Sequence, residues 1–151
     1  MKTLVIGAAI IDIIMKIKRL PKSGEDILCS ETVSTVGGCA YNVAGTLRGF
    51  SVDHDLFVPV GRGMYGDMIA GDLEKLGYQI LIREEESDNG YCLCLVEEDG
   101  ERTFITVKGA EGRFRPSWFE QLSQDAYDSI YVAGYQVCGA SGRVISDWMA
   151  G

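Results

Sequence analysis

The stretch Val36-Gly37-Gly38-Cys39-Ala40-Tyr41-Asn42-Val43-Ala44 places two adjacent glycines directly before an apparent helix. Glycine has no Cβ, so another molecule can approach the backbone closely, and the unpaired N–H groups of a new helix point at it. Asn42 adds an amide that both donates and accepts hydrogen bonds. This stretch predicts a site for a small polar ligand; a glycine pair that serves only the turn is the alternative.

The surrounding segments alternate between strand and helix patterns. An unbroken apolar run at residues 3–8 predicts a strand that is buried on both faces. Further core strands are predicted at 56–60, 78–82 and 129–133, and helices at 39–49, 64–76, near Pro116 and at 144–149. This alternation requires crossover connections in a parallel sheet flanked by helices, so the predicted fold class is α/β.

Two regions predict a smaller second sheet. Residues 26–36 alternate as a strand does, and residues 91–96 and 102–107 form the strongest hairpin signal in the chain. In the helix at 64–76, the residues predicted to face inward are Met64, Met68, Ile69, Leu73 and Leu76.

Composition limits the classes of function. The chain has 151 residues, 46% hydrophobic and 24% charged, as expected for one globular domain. Its net charge of −8 argues against nucleic acid as a partner. The apolar run before Asp12 is too short to span a membrane and lacks signal-peptide features, so we expect a cytoplasmic protein. Five cysteines without metal-ligand spacing and a single histidine predict no metal site.

The spacing beyond Gly37 carries a family resemblance. The order is Gly-Gly-x-Ala-x-Asn-x-Ala, six residues, Ser51, nine residues and Gly61. This pattern resembles the N-terminal signature of the ribokinase-like (PfkB) carbohydrate kinases, which phosphorylate hydroxymethyl groups of sugars and nucleosides. Residues 7–12 resemble the family's opening strand and substrate-binding aspartate, and residues 88–104 resemble its second lid hairpin. The likeness covers essentially the whole chain and is greatest to bacterial members known only as sugar kinases.

The resemblance implies the residues that would bind substrate. Asp12 would accept hydrogen bonds from two neighbouring sugar hydroxyls, and Asn42 would add its amide. A Cβ on Gly38 is expected to block substrate more than to destabilise the fold. The complete set of candidates is Asp12, Gly37, Gly38, Asn42, Ile10, Glu111 and Gln136.

Two departures from the family pattern bear on specificity. Ile10 stands where many sugar kinases carry asparagine, which favours a base-bearing nucleoside or a deoxy sugar. Gly61-Arg62-Gly63 replaces a frequent Gly-Asp-Asp. Arg62 would pair either with a substrate anion or with Asp67 on the protein surface.

The resemblance also implies that the chain is the N-terminal part of one kinase domain. Its core would comprise residues 1–12, 37–83 and 112–151, and its lid strands residues 13–36 and 90–108. The family's ATP site and its Gly-Ala-Gly-Asp segment, whose aspartate is the catalytic base, lie in the C-terminal half. No such segment occurs here, so no catalytic residue is expected in this chain. ATP and Mg²⁺ follow from the resemblance alone, and the 151-residue chain by itself is expected to be inactive.

Two other classes of function stay open. One is a non-catalytic sugar-binding or regulatory module. The other is a dimerisation element whose lid strands bury Tyr91, Leu93, Leu95 and Phe104 between subunits. In a kinase of this family, a homodimer formed through the lid strands is also expected, with a small sugar or nucleoside as ligand.

Overall fold

The computed structural model describes residues 1–151 and has nine strands and five α-helices. The strands are β1 (Lys2–Ile6), β2 (Ile10–Lys16), β3 (Glu31–Gly37), β4 (Asp53–Phe57), β5 (Pro59–Val60), β6 (Ile82–Arg83), β7 (Tyr91–Val96), β8 (Arg102–Val107) and β9 (Ser129–Val132). The helices are α1 (Cys39–Gly49), α2 (Met64–Lys75), α3 (Pro116–Phe119), α4 (Gly134–Val137) and α5 (Gly142–Ala150). None of the helices combines the length and apolar composition needed to traverse a bilayer.

The core is a three-stranded parallel sheet in the order β4-β1-β9. Leu4 and Ile6 of β1 point to one side of this sheet and Val5 points to the other, and all three are fully buried. This confirms the prediction of a first strand buried on both faces, because side chains alternate along a strand.

Helices cover both faces of the core sheet. Ala40 and Ala44 of α1, together with Ile69 and Leu73 of α2, belong to the cluster around Val5. The opposite cluster around Leu4 and Ile6 includes residues of α3 and α5, namely Phe119 and Ile145. The fold is therefore α/β, as predicted.

The prediction of which α2 residues face inward is partly wrong. Ile69 and Leu73, one turn apart, are buried, whereas Met64 and Met68 are exposed. Met68 directly precedes Ile69, and one residue turns a helix by about 100°. The buried stripe is thus narrower than the apolar pattern of the sequence.

The core strands differ from prediction at two places. Instead of one strand at 56–60, β4 ends at Phe57, and β5 pairs with β6 in a separate two-stranded sheet. Of the strand predicted at 78–82, only Ile82 lies in a strand, β6, and the N–H of Tyr78 bonds to the C=O of Leu73 at the end of α2. The core sheet therefore has three strands rather than four.

A second sheet, called the lid sheet here, has four strands in the order β3-β2-β7-β8. Strands β7 and β8 have the predicted bounds, whereas β3 begins at Glu31 instead of residue 26. The predicted core segment 1–12 ends at Asp12, whereas Asp12 lies inside β2 of the lid sheet, opposite Thr35 and Cys92. Both partners are distant in sequence, so the local pattern could not indicate this pairing.

The strand register divides the lid sheet into two faces. The Asp12 face carries Asp12, Ile14, Val33, Thr35, Cys94 and Phe104. The core-side face carries Ile11, Ile13, Tyr91, Leu93, Leu95 and Ile105. Phe104 pairs with Cys94 and therefore points away from Leu93 and Leu95. A partner that packs on one face of the lid sheet therefore cannot bury all four of these residues, and their burial between subunits stays a prediction.

Candidate functional site

The candidate site lies where the chain leaves β1 and where α1 begins. Gly38 has φ +102° and ψ 150°, a conformation that is nearly restricted to glycine. A Cβ there would stand 2.5 Å from the carbonyl oxygen of Ala8 and 3.2 Å from the Cα of Ala9. Gly38 is thus packed against backbone. Alanine at this position would therefore also strain the fold, and the expectation that it affects substrate more than the fold stays a prediction.

Asp12 and Gly37 are in direct contact. A Cβ on Gly37 would overlap the Oδ2 atom of Asp12, so the absence of a side chain makes room for the carboxylate. Asp12 is half-buried, and desolvation alone raises the pKa of its carboxyl group. Ile10 pairs directly with Gly37 and lies on the same side of β2 as Asp12. The structure therefore brings Ile10, Asp12 and Gly37 together, and the carboxylate has no partner within the chain.

The first turn of α1 supplies hydrogen-bond donors. No side chain caps this helix, and the first N–H bonded inside it is that of Asn42, to Gly38 O at 2.9 Å. The N–H groups of residues 39–41 therefore have no intrahelical acceptor. A helix N-terminus also carries a partial positive charge, which favours oxygen ligands.

Gln136 reaches the same end of the core sheet from α4. Its side chain is only 7% exposed, and its Oε1 atom is buried without a hydrogen-bond partner. A Cβ on Gly7, at the end of β1, would lie 3.5 Å from this oxygen and 2.6 Å from the Cβ of Ala40 in α1. A buried carbonyl oxygen without a donor is costly. Contact between Gln136 and a ligand stays a prediction.

Asn42 occupies a different environment. Its side chain is exposed and lines a groove of about 360 Å³ formed by residues of α1 and the end of α2: Tyr41, Asn42, Gly45, Thr46, Arg48, Leu76 and Tyr78. Asp12 does not line this groove. The convergence of Asn42 and Asp12 on one ligand stays a prediction.

The carboxylate of Glu111 accepts hydrogen bonds from the backbone at the base of the lid sheet. Its Oε2 atom accepts the N–H of Gly90 at 2.8 Å, and its Oε1 atom accepts the N–H of Gly109 at 2.9 Å. The side chain is only 4% exposed. Both carboxylate oxygens are thus engaged inside the protein, which favours a structural role over direct contact with a ligand.

Arg62 is also paired, although not with the expected partner. Its guanidinium forms an ion pair with Glu85, while Asp67 is paired with Arg83 at 2.8 Å. The expected Arg62–Asp67 pair is therefore absent. The folded loop brings Glu85 closer to Arg62 than its position in the sequence indicates.

Two residues of this region were missed by the sequence analysis. Asp88 accepts the N–H groups of Tyr65 and Gly66 at the start of α2, and the Asn89 amide is almost fully buried. The signal was the order Asp-Asn-Gly directly before β7, which reads as ordinary turn chemistry. Apart from the bond between Asp88 Oδ1 and the N–H of Asn89, the side-chain partners of these two residues lie 22 or more residues away, so local patterns could not identify them.

The comparison with known proteins identifies the family. The model of the pfkB family carbohydrate kinases matches residues 1–149, and the chain belongs to this family. Over 146 residues it is 37% identical to YegV, an uncharacterized sugar kinase of Escherichia coli strain K12. That alignment covers 97% of this chain and 46% of YegV.

Solved structures confirm the ribokinase-like fold. Ribokinase from Giardia lamblia superposes with a TM-score of 0.81 at 23% identity, covering 99% of this chain and 47% of that one. Arabidopsis thaliana ribokinase complexed with ribose and ATP gives a TM-score of 0.70 at 21% identity, covering 98% of this chain and 50% of that one. The chain thus spans about half the length of these relatives.

Proposed function

We propose that the complete protein transfers a phosphoryl group from ATP to a hydroxymethyl group of a sugar or nucleoside. Residues 1–151 would hold this acceptor and form the lid over it. The observation that carries the proposal is the half-buried Asp12 carboxylate, which touches Gly37 and whose raised pKa comes from desolvation without any compensating partner. Hydroxyl groups of an acceptor would supply the missing donors.

The groups proposed to hold the acceptor match the chemistry of a polyol. Asp12 would accept hydrogen bonds, whereas the N–H groups at residues 39–41, which have no intrahelical acceptor, would donate them. A hydroxyl group can do both. Ile10 offers an apolar contact beside Asp12, which favours a nucleoside or a deoxy sugar over a fully hydroxylated sugar.

The remaining parts of the reaction are assigned outside this chain. By the family resemblance, the base that takes the acceptor proton lies in the C-terminal half. ATP supplies the phosphoryl group, consistent with the Arabidopsis ribokinase complexed with ribose and ATP. The chain has no group of three or more His, Cys, Asp or Glu side chains that could hold a metal ion, so no step is assigned here to Mg²⁺. We further propose that the complete protein is a cytoplasmic homodimer.

The test is an acceptor panel with the complete protein. ADP release is measured with ATP and D-ribose, 2-deoxy-D-ribose, D-fructose or adenosine, and the phosphorylated product is identified by mass spectrometry. We expect turnover with at least one acceptor. Asp12→Asn should lower kcat/KM by about 10–100-fold, because each hydrogen bond to a charged group contributes roughly 1.5–3 kcal/mol. Asp26→Asn, which makes the same change of charge at an exposed position, is the matched control.

The same panel separates the rival classes. Acceptor binding by calorimetry without any ADP release would favour a non-catalytic sugar-binding module. The proposal would be contradicted if none of the four acceptors were bound and none were phosphorylated. The segment 1–151 alone should release no ADP, since it lacks the family's base.

A further inference from the structure

The segment before β7 is tied to the core by one buried side chain. Asn89 is 3% exposed, and its amide makes three hydrogen bonds. Its Oδ1 atom accepts the N–H of Gly61 at 2.6 Å, and its Nδ2 atom donates to Pro59 O at 3.0 Å and to Ala9 O at 3.1 Å. Asn89 thus fastens the start of the lid hairpin to the end of β5 and to the link between β1 and β2.

Glu111 fastens the same segment to the other end of the hairpin. Gly90 precedes β7 and Gly109 follows β8, and one carboxylate accepts the N–H groups of both. A Cβ on Gly90 would overlap Val107 O, and a Cβ on Gly109 would overlap Asp88 O. The two backbone segments therefore touch, and Glu111 holds them together at the base of the hairpin.

Gly90 connects Glu111 to β2 through two backbone hydrogen bonds. Its N–H is held by Glu111, and its C=O accepts the N–H of Ile11 at 3.2 Å. Ile11 directly precedes Asp12 and is fully buried in the core. The position of Gly90 therefore fixes the register of β2 at the residue next to the candidate substrate carboxylate.

We propose that Asn89 and Glu111 form a lid junction that sets the position of the lid sheet on the core. Within it, Glu111 is a positioning residue that acts on Asp12 through Gly90 and Ile11. The predicted effect of Glu111 on acceptor binding by Asp12 rests on the proposed function. The predicted effect of Asn89 and Glu111 on the lid sheet does not. Bonds from backbone N–H groups to a buried carboxylate are charge-assisted, and their loss leaves a buried donor unpaired. The junction gives a closing lid a fixed base.

The decisive measurement is amide hydrogen exchange of the complete protein without sugar or nucleotide. Glu111→Gln puts an NH₂ group against one of the two backbone donors, so one bond is lost. We expect exchange in peptides covering β7 and β8 to accelerate about tenfold or more, with β1 and β9 unchanged. Glu98→Gln makes the same charge change at the exposed hairpin turn and should exchange like the wild type.

Two outcomes would overturn the junction. One is wild-type exchange in the lid sheet of Glu111→Gln. The other is equal acceleration in β1 and β9, since that marks a general loss of stability. Should Glu111→Gln fail to fold, Glu111→Asp is scored by the same criterion: it keeps the charge but is one methylene too short to reach both N–H groups, so faster lid exchange is again expected.

A kinetic measurement tests the link to Asp12. With an acceptor that the wild type phosphorylates, Glu111→Gln should raise the acceptor KM about tenfold and leave the KM for ATP unchanged. An unchanged acceptor KM alongside faster lid exchange would refute the positioning role. If the wild type phosphorylates none of the four acceptors, the proposed function fails, and hydrogen exchange still decides whether the junction exists.

Discussion

The two adjacent glycines of the site should respond differently to the same added methyl group. Gly37→Ala should displace the Asp12 carboxylate, because the new Cβ overlaps its Oδ2 atom, and raise the acceptor KM at least tenfold with little change in stability. Gly38→Ala should lower the free energy of unfolding by about 1–3 kcal/mol, because its φ of +102° strains any other residue. Urea unfolding and steady-state kinetics measure the two effects.

Gly45→Ala is the control for this pair. Gly45 lies in α1, and a Cβ added there would point into open space, so the substitution should stabilise the protein by about 0.5–1 kcal/mol. A Gly38→Ala protein as stable as the wild type would contradict the backbone strain assigned to Gly38. A Gly37→Ala protein with unchanged affinity for the acceptor would contradict the role assigned to the contact between Gly37 and Asp12.

Under the proposed function, the raised pKa of Asp12 should make acceptor binding depend on pH. Burial disfavours the charged carboxylate in the folded protein, so ionisation of Asp12 costs stability as the pH rises through its pKa. Asp12→Asn removes this cost and should leave stability at pH 7 unchanged or slightly higher. The proposed role of Asp12 requires its carboxylate, so on acidification the affinity for the acceptor should fall at a higher pH than the ordinary value of 3.8 implies. The pH profile of acceptor KM measures this; an identical profile in Asp12→Asn would exclude Asp12 as its origin.

Among the elements, α2 depends on a distant side chain for its start. Its N-cap is Gly63, which offers no side chain, and Asp88 accepts the N–H of Gly66 at 2.6 Å and of Tyr65 at 3.1 Å instead. Asp88→Ala should lower the free energy of unfolding by about 1–2 kcal/mol, since it removes both a cap and a negative charge at the helix N-terminus. Urea unfolding measures this, with the exposed Asp26→Ala as control. Equal stability of the two variants would show that Asp88 does not cap α2.

The elements also show how far local sequence determines this fold. The bounds of β7, β8 and α1 follow from alternation, turn residues and helical periodicity, all of which are local signals. The position of Asp12 within β2 could not be predicted, because β2 pairs with β7 about 80 residues away. The role of Asn89 could not be predicted for the same reason, because its Nδ2 atom donates to the carbonyl oxygen of Ala9, 80 residues earlier in the chain. For the site, the family pattern selected Asp12 and Gly37, and their mutual contact is visible only in the folded chain.

At the scale of the whole molecule, the lid sheet presents two faces with different surroundings. On the core-side face, Ile11, Ile13 and Tyr91 pack against the core cluster around Val5. The Asp12 face carries the exposed Val33 and Phe104 beyond the candidate site. Exposed apolar side chains on the face that also carries the candidate residue Asp12 would favour contact with a second copy of the chain in the proposed homodimer.

Phe104 and Ile105 are adjacent residues with which the proposed homodimer through the Asp12 face can be tested. They are 59% and 51% exposed and point to opposite faces, because Phe104 pairs with Cys94 and Ile105 with Leu93. Phe104→Ser should raise the dimer dissociation constant about tenfold or more, since loss of a central aromatic contact costs roughly 2 kcal/mol. Ile105→Ser should leave it unchanged. Sedimentation velocity of the complete protein over a range of concentrations measures both, and equal weakening by the two variants, or a monomeric wild type, would rule out a dimer formed through the Asp12 face.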